Sequence, residues 1–165
     1  MKIKPNYIVI PLITILVALV GSWFSSQGMA WYDTEILKPS LTPPKWVFPV
    51  AWNIIFILTT ISAMIVWNKN SGKNNSAKCK WIITLFIANA VLNVLWSLLF
   101  FTMHYVFSAF MEMLILEATT IALMVLIWKF SKPASLMLLP YVLWVVIATY
   151  LTYEIYITMP QTLPV

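Results

Sequence analysis

The sequence predicts an all-α integral membrane protein, a bundle of five transmembrane helices with a structured loop between the first two that caps a ligand pocket. Three observations carry this expectation. First, of 165 residues 62% are hydrophobic and only 9% charged, and mean hydropathy is +0.90. Soluble domains hold about 45–50% apolar and about 25% charged residues. Second, the apolar residues gather into five runs, about 7–24, 46–67, 79–101, 106–128 and 134–157. Each approaches the roughly 20 helical residues that cross a ~30 Å hydrocarbon layer. Third, the basic residues are all Lys and are unevenly spread among the connections. The length suits one domain, residues 1–165.

The first run follows Lys2 and Lys4 and resembles a signal peptide. It is long for that role, and no small-x-small cleavage site follows, so it is read as a span. Pro11 is tolerable there because neighbouring helices satisfy the freed carbonyl. The second run starts at Trp46 and ends at Trp67; a polar loop with Gly72 leads to the third, which begins at Cys79. Only Thr102-Met103-His104-Tyr105 separates the third run from the fourth, so these two should be antiparallel neighbours. Lys129-Phe130-Ser131-Lys132-Pro133 turns the chain into the fifth, and a tail with Pro160 and Pro164 follows.

Five spans put the termini on opposite faces. One face collects Lys2, Lys4, Lys69, Lys73, Lys78, Lys80, Lys129 and Lys132; the other has Lys38 and Lys45, offset by Asp33 and Glu35. The positive-inside rule then sets the N terminus in the cytoplasm and the first loop outward. The Lys-only, Asn-rich composition points to a prokaryotic cell membrane.

That first loop, Trp31 to Trp52, is the longest polar interruption in the chain. Pro39, Pro43, Pro44 and Pro49 fix φ and hold the preceding residues out of the helical region, so the segment should be stiff and shaped. Trp23, Trp46, Trp67, Trp81 and Trp128 fall near span ends and read as an interfacial belt. Trp52, Trp96 and Trp144 lie deeper. On their helices Asn89, Asn93 and Trp96 share a face, as do Phe48, Trp52 and Phe56, and as do Tyr141, Trp144 and Ala148. Glu112 lies about two turns in from the loop end of the fourth span. Amide and carboxyl groups at such depth are costly unless paired or wetted, so they should point inward. The expectation is an aromatic cavity with a few polar groups under the loop, suited to a flat, mostly apolar ligand.

Simpler roles exist for several of these groups. Asn89 and Asn93 serve equally well as interhelical hydrogen-bond donors. Glu117 lies about 140° round the helix from Glu112 and cannot share its face. Glu154 sits where it reaches water or pairs with Lys38 or Lys45, and His104 reads as a solvated loop residue. Gly21 and Ser25 form a small-xxx-small pair, too common to define a dimer face.

Other functions lack their residues. The chain has no Arg for nucleic-acid recognition. There is no zinc-spaced Cys/His cluster, no phosphate-binding glycine loop and no Ser-His-Asp set. One His and one Cys are poor material for axial haem ligation. No metal site and no required cofactor are expected.

Trp31-Tyr32, Leu37-Lys38-Pro39-Ser40, Pro43-Pro44 and Trp52 form a pattern that resembles the signature of the TspO/MBR family, the tryptophan-rich sensory proteins that include the mitochondrial translocator protein, or peripheral benzodiazepine receptor. Leu92-Asn93, Trp96 and Phe100-Phe101, and Pro140-Tyr141, Trp144, Ala148-Thr149 and Leu151, resemble its helix-three and helix-five motifs. The resemblance implies a five-helix bundle, often a homodimer, that binds porphyrins such as protoporphyrin IX or haem as ligand. Carried over by position, Trp31, Pro43, Trp52, Asn93, Trp96, Trp144 and Ala148 would line the pocket; the reading from depth adds Glu112 and Tyr141. Where the family breaks down porphyrin in light, Trp52 and Trp144 would be the catalytic pair. A tetrapyrrole receptor or sensor leads, with a porphyrin-degrading photo-enzyme or a transporter as alternatives. Glu112 stands where many members carry Asp, and Ser108 where animal members carry Trp. Thr152 replaces a common Asn, and no basic residue follows Tyr153, which breaks the cholesterol-recognition pattern. Sterol binding is not expected as the main role.

Overall fold

A computed structural model describes residues 4–70 and 77–159. Lys2, the polar connection 71–76 with Lys73, and the tail prolines Pro160 and Pro164 lie outside the described residues. The helices are α1 (Asn6–Gln27), α2 (Met29–Thr34), α3 (Val47–Asn70), α4 (Ala77–Ser97), α5 (Val106–Trp128), α6 (Lys132–Leu136) and α7 (Leu139–Thr158). Five stretches, 6–27, 47–69, 80–102, 106–128 and 132–158, are long and apolar enough to cross a membrane. The chain is therefore a multi-pass integral membrane protein with five helices long and apolar enough to span.

Two details depart from five plain rods. The fifth span is a short α6 and a long α7 joined at Met137 and Leu138. Pro140 explains the break, since it lacks an N–H and its ring collides with the carbonyl four residues earlier, at Leu136. The third span ends in one π-helical turn, Leu98–Thr102. The tight turn that follows holds His104 at φ 58, the left-handed region.

Around the bundle α1 packs on α3 and α4, α4 on α5, and α5 on α7; α6 and, more thinly, α7 close the ring against α3. Three buried clusters stack along its axis. At the lysine-rich end are Val66, Ile82, Leu123, Ile127, Ala134 and Leu138. In the middle are Ile55, Met113, Leu116, Tyr141, Val145 and Ala148. At the loop end are Ile36, Phe100, Val106, Ala109 and Ile155. Lipid tails are as apolar as these side chains, so close packing and buried hydrogen bonds hold the helices together. Ser62 donates to the Ala134 carbonyl at 2.7 Å, tying α3 to α6. Gly21 faces the Ser97 hydroxyl within the chain, so it serves α1–α4 packing.

Candidate ligand site

The nine tryptophans divide as their sequence positions predict. Trp23, Trp46, Trp67, Trp81 and Trp128 are between 39% and 67% exposed, at the two ends of the bundle. Trp31, Trp52, Trp96 and Trp144 are half-buried. Trp52 from α3, Trp96 from α4 and Trp144 from α7 all pack on the middle cluster, with Tyr141 and Ala148 inside it. Indole rings from three separate spans thus pack on one shared cluster.

Edge and face contacts order these rings. Trp52 meets Tyr141 edge to face at 6.2 Å and stacks on Phe56 at 5.7 Å. Trp144 meets Phe48 edge to face at 5.6 Å. The Tyr141 hydroxyl accepts a 2.7 Å hydrogen bond from the Asn93 amide. Asn89 donates to Thr120 at 2.7 Å, the interhelical role open to it from sequence. Four groups near this layer carry unused hydrogen-bonding capacity: the Trp96 and Trp144 indole N–H groups, the Glu112 carboxyl oxygens and the Thr149 hydroxyl are buried without a protein partner among the described residues. Glu112 sits beside Met113 of the cluster, on α5.

The loop is anchored by Ile36 and Gly28, which the sequence did not mark, together with Trp31 and His104. Ile36 is buried in the loop-end cluster between Phe100, Val106 and Ile155. Trp31 stacks on His104 with ring centroids 4.0 Å apart and meets Phe100 edge to face at 5.7 Å. His104 is exposed, as expected, yet it also forms this stack. Phe100 stacks on Trp96 at 5.4 Å, so the π turn joins the loop to the middle layer. Gly28 lies so close to the turn that a Cβ there would stand 1.8 Å from the Phe101 carbonyl oxygen. Outside the membrane spans, Asp33 takes hydrogen bonds from Lys45 at 2.7 Å and Lys38 at 2.9 Å, which hold its carboxyl below the ordinary value. Lys38 also lies 5.2 Å above the Tyr32 ring. Burial, and secondarily the Asp33 charge, push the Tyr32 phenol up. Both loop lysines pair with Asp33, so the pairing open to Glu154 is taken by a nearer acid.

Of the residues singled out from sequence, Trp52, Trp96, Tyr141, Trp144 and Ala148 come together on one cluster, and Asn93 joins through Tyr141. Trp31 lies one ring further out, and Pro43 is half-buried in the loop, outside that cluster. A cavity of about 240 Å³ lies elsewhere, between α1, α3 and α4 in the lysine-rich half. It shares Phe56, Asn89, Asn93 and Tyr141 with the faces the sequence turned inward, and none of Trp52, Trp96 and Trp144 lines it. Nothing in the sequence pattern marked it, because it depends on the angle at which α1 crosses its neighbours.

The TspO/MBR family profile matches residues 8–157. The chain belongs to that family. A tryptophan-rich protein TspO of Chlorobaculum tepidum is 35% identical over 143 residues, covering 84% of this chain and 86% of its own. The TspO of Archaeoglobus fulgidus is 32% identical, with 88% and 92% covered. The human translocator protein is 28% identical over 135 residues, with 81% and 78% covered. The aromatic layer, the π turn and the loop thus belong to a TspO/MBR membrane protein of the sensory or translocator kind.

Proposed function

We propose that this TspO/MBR protein is a membrane receptor or sensor for porphyrins and related tetrapyrroles, bound among Trp52, Trp96 and Trp144 beneath the first loop. The observation that carries the reading is the set of unpaired indole N–H groups of Trp96 and Trp144 in an aromatic layer. A flat macrocycle offers π faces to the rings, and its carboxylates or ring nitrogens offer acceptors to the N–H groups. The loop would move to admit it, as its attachment through one aliphatic anchor, ring contacts and exposed ion pairs allows. Lysine asymmetry favours an orientation with the loop end outward.

Protoporphyrin IX titrated into the protein in lipid nanodiscs should quench tryptophan fluorescence saturably at micromolar ligand. Trp144→Phe should weaken binding by about 1 kcal/mol, roughly fivefold, while the exposed Trp81→Phe should not. Quenching that is unsaturable, or equal in the two variants, defeats the reading. Light-dependent porphyrin breakdown is a second reading, favoured by Trp52 and Trp144 packing on one cluster. Illuminated Trp52→Phe/Trp144→Phe protein would then leave the porphyrin spectrum intact, and equal bleaching by the double variant removes it.

A further inference from the structure

The cavity in the lysine-rich half has the make-up of a second site. Its α1 wall is Ile10, Ile13, Thr14 and Val17, one face of that helix. Opposite are Phe86, Ile87 and Ala90 of α4, and Thr59, Thr60 and Ala63 of α3. The way α1 is pinned explains the gap. Towards the loop end it is fastened to the third span: Gly21 meets Ser97, Thr102 donates to the Phe24 carbonyl at 3.1 Å, and Gly28 abuts Phe101. Towards the lysine-rich end it is fastened to α3 instead. Thr60 donates to Thr14 at 2.8 Å, Asn6 to Asn68 at 3.3 Å, and Asn68 to the Tyr7 hydroxyl at 2.9 Å. Leaning from one partner to the other, α1 parts from α4 in the lysine-rich half. Ile13 and Ile87, 52% and 60% exposed, stand on either side of the parting, at a depth where the surroundings are hydrocarbon.

The deep end is polar. Asn89, Asn93 and Tyr141 line it, and so does Thr59. In membrane helices a threonine hydroxyl ordinarily returns its proton to the carbonyl four residues back. Thr14, Thr120 and Thr152 do so here. The Thr59 hydroxyl does not; it is buried and has no partner among the described residues.

We propose that this seam binds a slender, largely hydrocarbon molecule carrying one hydroxyl or carbonyl, drawn sideways from the leaflet at the lysine-rich end. Its chain lies against Ile10, Val17, Phe86 and Ala90, and its polar group exchanges a hydrogen bond with Thr59. At about 240 Å³ the space is below the roughly 300–1,000 Å³ of drug-sized pockets, so it takes one narrow molecule and excludes a tetrapyrrole. The Asn93–Tyr141 pair is its end wall, with Trp52 against the same tyrosine ring. The inference does not rest on the porphyrin reading.

The test is photolabelling of the full chain in phosphatidylcholine nanodiscs, without porphyrin. One probe is a long-chain alcohol carrying a diazirine, and its counterpart is the same alkyl diazirine without the hydroxyl. Adducts mapped by mass spectrometry should concentrate on residues 10–17 and 82–90. Ala63→Phe, which fills the space, should remove most of them. Thr59→Val, nearly isosteric, should reduce alcohol labelling by about threefold to tenfold, the effect of one hydrogen bond, and spare alkyl labelling. Trp144→Phe should change neither. The proposal is overturned by adducts spread evenly over lipid-facing residues such as Leu143 and Val146, or by equal alcohol labelling of Thr59→Val and the unaltered protein. It is also overturned if Ala63→Phe instead abolishes a chemically cross-linked dimer that excludes the probe, which would make the seam a subunit contact.

Discussion

The loop end and the lysine-rich end of this bundle are built from the same oily composition but held together differently. At the loop end, aromatic rings interlock through Trp31, Phe100, Phe101 and Trp96, and backbones touch where Gly28 meets Phe101. At the lysine-rich end, α1 is tethered by side-chain hydrogen bonds through Thr14, Asn6 and Tyr7, and a cavity is left beside them. Ring packing fills volume, whereas hydrogen bonds fix a few atoms at a set distance and leave space between. The difference assigns the two ends different tolerance to change.

The largest effect should come from Gly28→Ala. The added methyl would meet a carbonyl oxygen at 1.8 Å, a backbone atom that no side-chain rotation can clear. Overpacking typically costs 1–3 kcal/mol, and here the backbone itself must part, so a loss of about 3 kcal/mol is expected. Gly21→Ala is the matched control, because its Cβ would stand an ordinary 3.6 Å from the Ser97 hydroxyl. Thermal unfolding in detergent measures both. Equal midpoints would show that the Gly28–Phe101 contact is loose enough to take a methyl.

Much of this arrangement was legible in the residues, and the rest was hidden for a physical reason. The five spans followed from run length, and the division of the tryptophans followed from their distance to the predicted span ends. Trp52, Trp96 and Trp144 were placed inward because helical periodicity put each beside other aromatic or polar groups. Ile36 was not recognised, since one isoleucine in a polar loop has no period to betray it. The π turn adds a residue without any composition signal. The cavity is a property of three helix axes together, which no one-dimensional pattern records.

A middle-sized effect should appear where the two halves share a wall. Tyr141→Phe removes the acceptor for Asn93 and leaves a buried amide donor unpaired. Hydrogen bonds between membrane helices average ~0.6 kcal/mol and reach ~1.7, so a loss of about 1 kcal/mol is expected. Thr120→Val, which strands Asn89 in the same way, should cost a similar amount. The two diverge in function: only Tyr141→Phe, whose ring also meets Trp52, should alter protoporphyrin quenching. Identical quenching curves would separate the aromatic layer from the hydrogen-bonded half beneath it.

The smallest effect belongs to the ion pairs over the loop, where solvent screening weakens each contact. The Asp33 carboxyl is held down by Lys45 and Lys38, so folding favours its charged form. That contribution is present above the unfolded value near 3.8 and is lost as pH falls through the lower folded value. Tyr32 works in the opposite direction. Its phenol is raised by burial, so its contribution is intact below 10.0 and disappears as pH climbs through the folded value. The loop should therefore be most tightly closed across the wide interval between these limits. Hydrogen exchange of residues 29–46 is the measurement. Protection should fall at the acid limit, and 1 M salt, with a Debye length of ~3 Å, should mimic that fall at neutral pH. Asp33→Asn should abolish the acid dependence while leaving α4 and α5 protection unchanged. A loop whose exchange ignores both pH and salt would be held by Ile36 and the Trp31–His104 stack alone, which would put the whole strength of the loop end in its apolar contacts.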